Sequence, residues 1–184
     1  CDKINPGMMM AMGRLDLPSI YLAAGPGQMN IRNVPQFKSS IDHNDFHDDP
    51  ESLQQSFSCS TCGACEIMGT ANTFQCLAEA LGICLPGSSN IPGWHTDKLL
   101  AARETGKRVV QMFHEGLNAR QILTQDAIDN ATKMLMAIGG STNGTLHLPA
   151  IAHSAGLKLD FNMIEEASKA TPTLLAISPN GPWG

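Results

Sequence analysis

No run of apolar residues in this 184-residue chain approaches the ~20 that span a bilayer, so a membrane is not an expected partner. No block of lysine and arginine stands out. Acidic residues outnumber basic ones, 17 to 12, and both are scattered. Such a charge pattern offers nothing to grip a phosphate backbone, so nucleic acid is not an expected partner either. Internal repeats and low-complexity tracts are missing, which leaves one globular domain as the expectation. No charged-then-apolar leader opens the chain, an absence of little weight where the first residue is Cys1 rather than methionine. With an end at "SPNGPWG" just after an apolar run, both termini read as cuts in a longer sequence.

What is present begins with cysteine. There are six: Cys1, Cys59, Cys62, Cys65, Cys76 and Cys84. A secreted disulfide framework needs a small, loop-rich chain, and only the even count fits, so a reducing, cytoplasmic compartment is expected. Three of the six crowd into "CSTCGAC". Two-residue gaps let neighbouring sulfurs face one ion, as in iron–sulfur and zinc sites. No Cys-Pro of the ferredoxin type follows, and no second Cys or His pair lies downstream to close a zinc site. Spacing alone therefore leaves a cluster, zinc and unligated buried thiols open. Cys76 and Cys84 sit in or just after an apolar helix and read as packing residues.

Hydrophobic periodicity divides the rest. "CDKINPGMMMAMG" predicts a loop and a short helix, with Pro6 in the first turn and Gly13 at the end. Residues 18–24 form a short continuous apolar run and predict a buried strand. Residues 25–58 are polar and turn-rich, and His43 and His47 within them, the one pair at i, i+4, are expected to be exposed. A helix buried on most sides is predicted from Ile67, Met68, Ala71, Phe74, Leu77, Ala78 and Leu81, ending at Gly82. The next helix carries the stripe Leu99, Ala102, Gly106, Val109 and Phe113. Thr124 caps another, with stripe Ile128, Ala131, Leu135 and Ile138. "GGSTNG" is either a nest for an anion or a turn that caps the following helix, which holds Pro149; the cap is preferred. Asp160 caps a last helix to about Lys169, and "TPTLLAIS" predicts a second buried strand. Continuous apolar strands flanked by helices give α/β as the fold class: helix-rich layers around a mostly parallel sheet.

Three blocks carry a resemblance. "CDKINPGMMMA" resembles the Cys-Asp-Lys-x-x-Pro-Gly signature of the dihydroxyacid dehydratase and 6-phosphogluconate dehydratase family. "TCGACEIMGTANTFQCLAEALGICLPGSSNIP" looks like the family's second cysteine segment, and "AIGGSTNGTLHLPAIA" is similar to a third block. The match covers 1–12 and roughly 60–160, whereas 28–58 is shorter and more polar than the pattern. "MGTA" after Cys65 looks more like the sugar-acid members.

The resemblance implies a hydro-lyase that dehydrates a 2,3-dihydroxy carboxylic acid, an aldonic sugar acid or a branched-chain dihydroxy acid, to a 2-keto acid. It implies an iron–sulfur cluster (2Fe-2S or 4Fe-4S) held by Cys1, Cys65 and a cysteine preceding this sequence, so Cys59 and Cys62 are not implied as ligands. Asp2 is implied as a magnesium ligand, and Lys3 as a carbamylated lysine on the same Mg2+. A further Asp upstream and a Glu downstream would complete that site. The base, a serine, would lie in a C-terminal domain, so no catalytic residue is expected within residues 1–184, which would form part of the N-terminal iron–sulfur and magnesium domain. A homo-oligomer acting on a small hydroxy acid is the expected assembly. The rival readings are a non-enzymatic iron–sulfur or zinc module built on Cys59, Cys62 and Cys65, and a metal-free helical interaction fragment.

Overall fold

A computed structural model describes residues 2–28, 61–65, 67–175 and 177 of the chain. Its helices follow the caps and periodicity of the sequence. Pro6 occupies the first turn of α1 (Ile4–Leu15), where its missing N–H costs nothing. The helix runs two residues past Gly13, and Asp16 ends it in the left-handed region at φ 49°. Helix α2 (Thr70–Ala80) is buried on most sides, as expected, but Ile67 and Met68 precede it rather than belong to it. Helix α3 (Thr96–Glu115) follows, then a single turn, α4 (Ala119–Ile122), held by a reciprocal capping pair between Asn118 and Gln121. The Thr124 hydroxyl accepts from the Ala127 N–H at 3.2 Å and opens α5 (Gln125–Ala137). Helix α6 (Gly144–Ser154) contains Pro149, and Asp160 caps α7 (Phe161–Ala170) by accepting from the Met163 N–H at 3.1 Å.

The core lies where these helices meet. Helix α1 packs on α6, α4 and α2; α2 packs on α5 and α6; α5 also packs on α6 and α7. Met9, Phe74, Leu77, Ile128, Leu148 and Ile151 are wholly removed from solvent at the meeting point. Each such side chain contributes roughly 1.5–3 kcal/mol relative to exposure.

Two expectations need correction. The mostly parallel sheet is not formed among the described residues. Residues 18–24 do not form a buried strand, and their burial alternates: Tyr21 and Ala23 are buried while Leu22 and Ala24 are exposed. The Tyr21 N–H finds the Ile83 carbonyl of a loop (2.7 Å) instead of a neighbouring strand. Among the described residues a parallel bridge joins Pro26 and Ala64. The second expected buried strand is exposed at Leu174 and Leu175, whose N–H groups donate to the Ala137 carbonyl at the end of α5. Helix-rich layers are thus observed without the sheet between them.

The second correction concerns α3. Its sequence stripe does not face a core, since Leu99 is 75% and Phe113 70% exposed. Of its 20 residues only Thr105 and Met112 are buried. A polar contact pins its first turn instead: the Lys98 Nζ donates to the carbonyls of Ala23 (3.1 Å) and Ser88 (2.7 Å).

A candidate metal centre where three helices begin

The first N–H groups of a helix have no partner within it, and together they give that end a partial positive charge. Three such ends, those of α1, α2 and α6, are tied together at one pole of the molecule. Asn5 in the first turn of α1 donates through Nδ2 to the Ala71 carbonyl of α2 (3.0 Å). The Ser141 N–H, just before α6, donates to the Thr73 hydroxyl of α2 (2.9 Å). Thr70 and Ser141 hydroxyls lie 3.2 Å apart. Hence the three sequence blocks, some 70 residues apart along the chain, share one place in the fold.

Asp2 stands at that place. Its Oδ2 pairs with the neighbouring Lys3 Nζ. Its Oδ1 accepts from Asn143 Nδ2 at 3.1 Å, and the same amide donates to the Thr70 hydroxyl at 2.8 Å. Lys3 and, next, the Thr70 hydroxyl stabilise the charged form, and they hold the Asp2 carboxyl down at about 2. Nε2 of His147, on α6, is buried without a partner and lies 3.7 Å from the same Oδ1. The His147 ring rests edge-on against Phe74.

The segment "GGSTNG" therefore does more than cap a helix. Asn143 occupies the N-cap position of α6 yet makes no side-chain cap bond. Both its amide N–H groups go to tertiary partners, Asp2 and Thr70.

The cysteine loop joins the same pole from the side. Cys62 is exposed and Cys65 half-buried, and both thiols are free. Ala64 between them donates to the Gly25 carbonyl (2.7 Å) and accepts from the Gly27 N–H (2.9 Å). Gly63 makes that crossing possible. At φ 135° it takes a conformation that side chains resist, and a Cβ there would lie 2.7 Å from both the Gly27 nitrogen and the Pro26 oxygen. Buried polar side chains of α2 complete the anchorage. Asn72 Nδ2 donates to the carbonyls of Cys65 and Ile67, Gln75 Nε2 donates to Asn72 Oδ1 (2.9 Å), and Gln75 Oε1 accepts from the Gly25 N–H (2.5 Å). An unmatched buried polar group costs about 1–3 kcal/mol, so this chain of bonds holds the Cys65 backbone in place.

The outcome for the sequence candidates is mixed. Asp2, Lys3 and the Cys65 loop are brought to one pole. Cys1 and Cys59, like His43 and His47, lie outside the described residues. Among the described residues no three His, Cys, Asp or Glu side chains converge on a point that would hold a metal by themselves. Cys84 packs in the core as expected, whereas Cys76 is only half-buried; burial raises both thiols, that of Cys84 to about 11. Missed from sequence were Asn72, Gln75, Asn143 and His147. The signal was available for two pairs, because Asn72 and Gln75 interrupt an apolar helix at i, i+3, while Asn143 and His147 share a face at i, i+4.

Buried polar side chains gathered at one pole, with the apolar core behind them, mark a domain that carries a site rather than one that only packs. The chain belongs to the dihydroxy-acid/6-phosphogluconate dehydratase N-terminal family, whose pattern matches residues 1–184. It is 42% identical to a dihydroxy-acid dehydratase of Thermodesulfovibrio yellowstonii, with 98% of this chain and 34% of that protein aligned. A dihydroxy-acid dehydratase of Pyrococcus abyssi and one of Methanococcoides burtonii are each 40% identical, again over 98% of this chain and 34% of the relative. The chain thus spans about a third of the length of the curated relatives it matches.

Proposed function

We propose that this chain is the metal-binding part of a hydro-lyase that dehydrates a 2,3-dihydroxy carboxylic acid to a 2-keto acid. The observation that carries the reading is the convergence of Asp2, Lys3, the Cys65 loop and the 141–143 turn on three helix N-termini in a chain of this family. The relatives at about 40% identity bear the dihydroxy-acid name, which favours that substrate class over an aldonic sugar acid.

In this reading Asp2 and carbamylated Lys3 hold Mg2+, while Cys65, Cys1 and a cysteine preceding the sequence hold the iron–sulfur cluster, 2Fe-2S or 4Fe-4S. The donor chemistry fits. Asp2 is ionised at any ordinary pH, and a hard carboxylate oxygen suits magnesium. A Lys3 ammonium would repel the ion, but its side chain is 72% exposed. Its neutral amine can therefore add CO2, losing a proton, to become an anionic oxygen donor. Remaining ligands come from outside the described residues. When bound, the metals supply Lewis acidity at the leaving hydroxyl and charge neutralisation at the carboxylate. The helix ends add a positive potential that draws a carboxylate substrate. Loss of the C2 proton to a base and of the C3 hydroxyl as hydroxide, together one water, leaves an enol, which tautomerises to the 2-keto acid. The base is proposed to lie beyond this sequence. Cytoplasmic location and a homo-oligomeric assembly belong to the same proposal.

The test is made on the full-length protein, purified without oxygen. Iron and acid-labile sulfide should be present, and 2-keto acid should be released from branched-chain dihydroxy acids. Cys65→Ser should lose the iron, while Cys59→Ser and Cys62→Ser keep it. Equal iron loss in all three would point back to a module built on the cysteine triplet. Absence of keto-acid release from dihydroxy and sugar acids alike would refute the hydro-lyase.

A further inference from the structure

Helix α6 presents two side chains one turn apart to a single oxygen of Asp2. Asn143 donates to Oδ1 at 3.1 Å, and His147 Nε2 faces the same oxygen at 3.7 Å. His147 is nine-tenths buried, its Nε2 has no other partner, and the Phe74 ring fixes its plane. A donor orphaned in this way is costly unless it serves something. A movement of about half an ångström would bring it to hydrogen-bond distance. Asn143 is itself held, since its second amide N–H is given to Thr70 and its backbone N–H to the Ser141 hydroxyl at 3.3 Å. Among the described residues, the bond that α6 gives Asp2 goes to Oδ1, while Oδ2 pairs with the exposed Lys3.

We infer that Asn143 and His147 are positioning residues for the metal site: they fix Asp2 through Oδ1 and thereby reserve Oδ2 for the cation. This rests on the reading of Asp2 as a magnesium ligand. The physical gain is orientational. A carboxylate free to rotate about χ1 and χ2 loses that freedom on binding a cation, whereas one anchored through its other oxygen has lost it on folding. Outer partners of ligating side chains typically change metal affinity by roughly 10–100-fold when removed.

The experiment uses the full-length protein with magnesium replaced by Mn2+. Its dissociation constant and electron paramagnetic resonance spectrum report the site without turnover. Asn143→Ala is expected to weaken Mn2+ by about 10–100-fold and to alter the spectrum, with melting temperature and iron content unchanged. His147→Leu should weaken Mn2+ as well, and His147→Gln, which keeps an N–H donor, should restore it. Asp2→Asn separates the two levels of the argument. If it abolishes Mn2+ binding while Asn143→Ala leaves the affinity at the wild-type value, the positioning role is overturned and the ligand reading stands. If Asp2→Asn binds Mn2+ normally, both fall. Should Asn143→Ala not fold, the His147 pair decides: equal affinity in the Leu and Gln variants overturns the inference.

Discussion

The pole around Asp2 and the outer face of α3 are inversions of each other. At the pole, polar side chains are buried and, His147 Nε2 apart, matched: Thr70, Asn72, Thr73 and Gln75 are each at most 9% exposed, and all four hydrogen-bond. Along α3, large apolar side chains are exposed: Leu99, Leu100, Val110 and Phe113 are all more than half accessible. Scattered exposed apolar residues are ordinary, whereas buried polar groups need an explanation. The pole is therefore where the proposed site finds its support. The comparison also shows that a periodic stripe predicts which side of a helix is apolar, not whether anything covers it.

The largest effect that could break this contrast lies at the pole. Lys3→Arg keeps the charge but cannot form a carbamate, so in the full-length protein 2-keto acid formation should fall by several orders of magnitude with the fold intact. Unchanged turnover would reduce Lys3 to a surface cation. Next in size is Phe74→Ala, which removes a wholly buried ring from α2 and from the edge of His147. It should cost about 3–5 kcal/mol in denaturant unfolding; a loss under ~1 kcal/mol would mean that the core behind the pole is loosely packed.

The sole tyrosine reports on that core by titration. Burial, and secondarily a charge on Cys84, push the Tyr21 hydroxyl up to about 12. Its folded value is raised above the unfolded ~10, so its contribution is fully present below pH ~10 and is lost as pH climbs through about 12. The loss should be on the order of 2 kcal/mol. Ultraviolet absorbance of the phenolate should rise near pH 12 in the folded chain, and a rise near 10 without unfolding would contradict the burial. The smallest effect belongs to α3. Phe113→Ser should change the stability of the chain by no more than ~0.5 kcal/mol, and a loss as large as that of Phe74→Ala would erase the contrast.

The sequence was most legible where one residue type forces one local geometry. Thr124 and Asp160 read as caps in the sequence, and each accepts the expected N–H. The stripe Ile128, Ala131, Leu135 and Ile138 was read as a buried face, and it is one. The candidate site was legible as three motifs but not as an arrangement. In sequence Asn143 reads as part of a turn, and His147 has no second histidine at i, i+4 to mark it. Neither residue signals its role without knowing that Asp2, more than 140 positions away, is its neighbour.

By itself the sequence determined the six longer helices, the Thr124 and Asp160 caps and the family, because propensity, capping and motif spacing act over a few residues. Tertiary structure alone decided the rest. It set the two apolar segments against carbonyls of a loop and of a helix end, left the α3 stripe facing solvent, and drew three helix N-termini around one carboxylate. Those outcomes depend on which surfaces meet, and a contact between distant segments is settled by the packing of the whole core rather than by any local pattern.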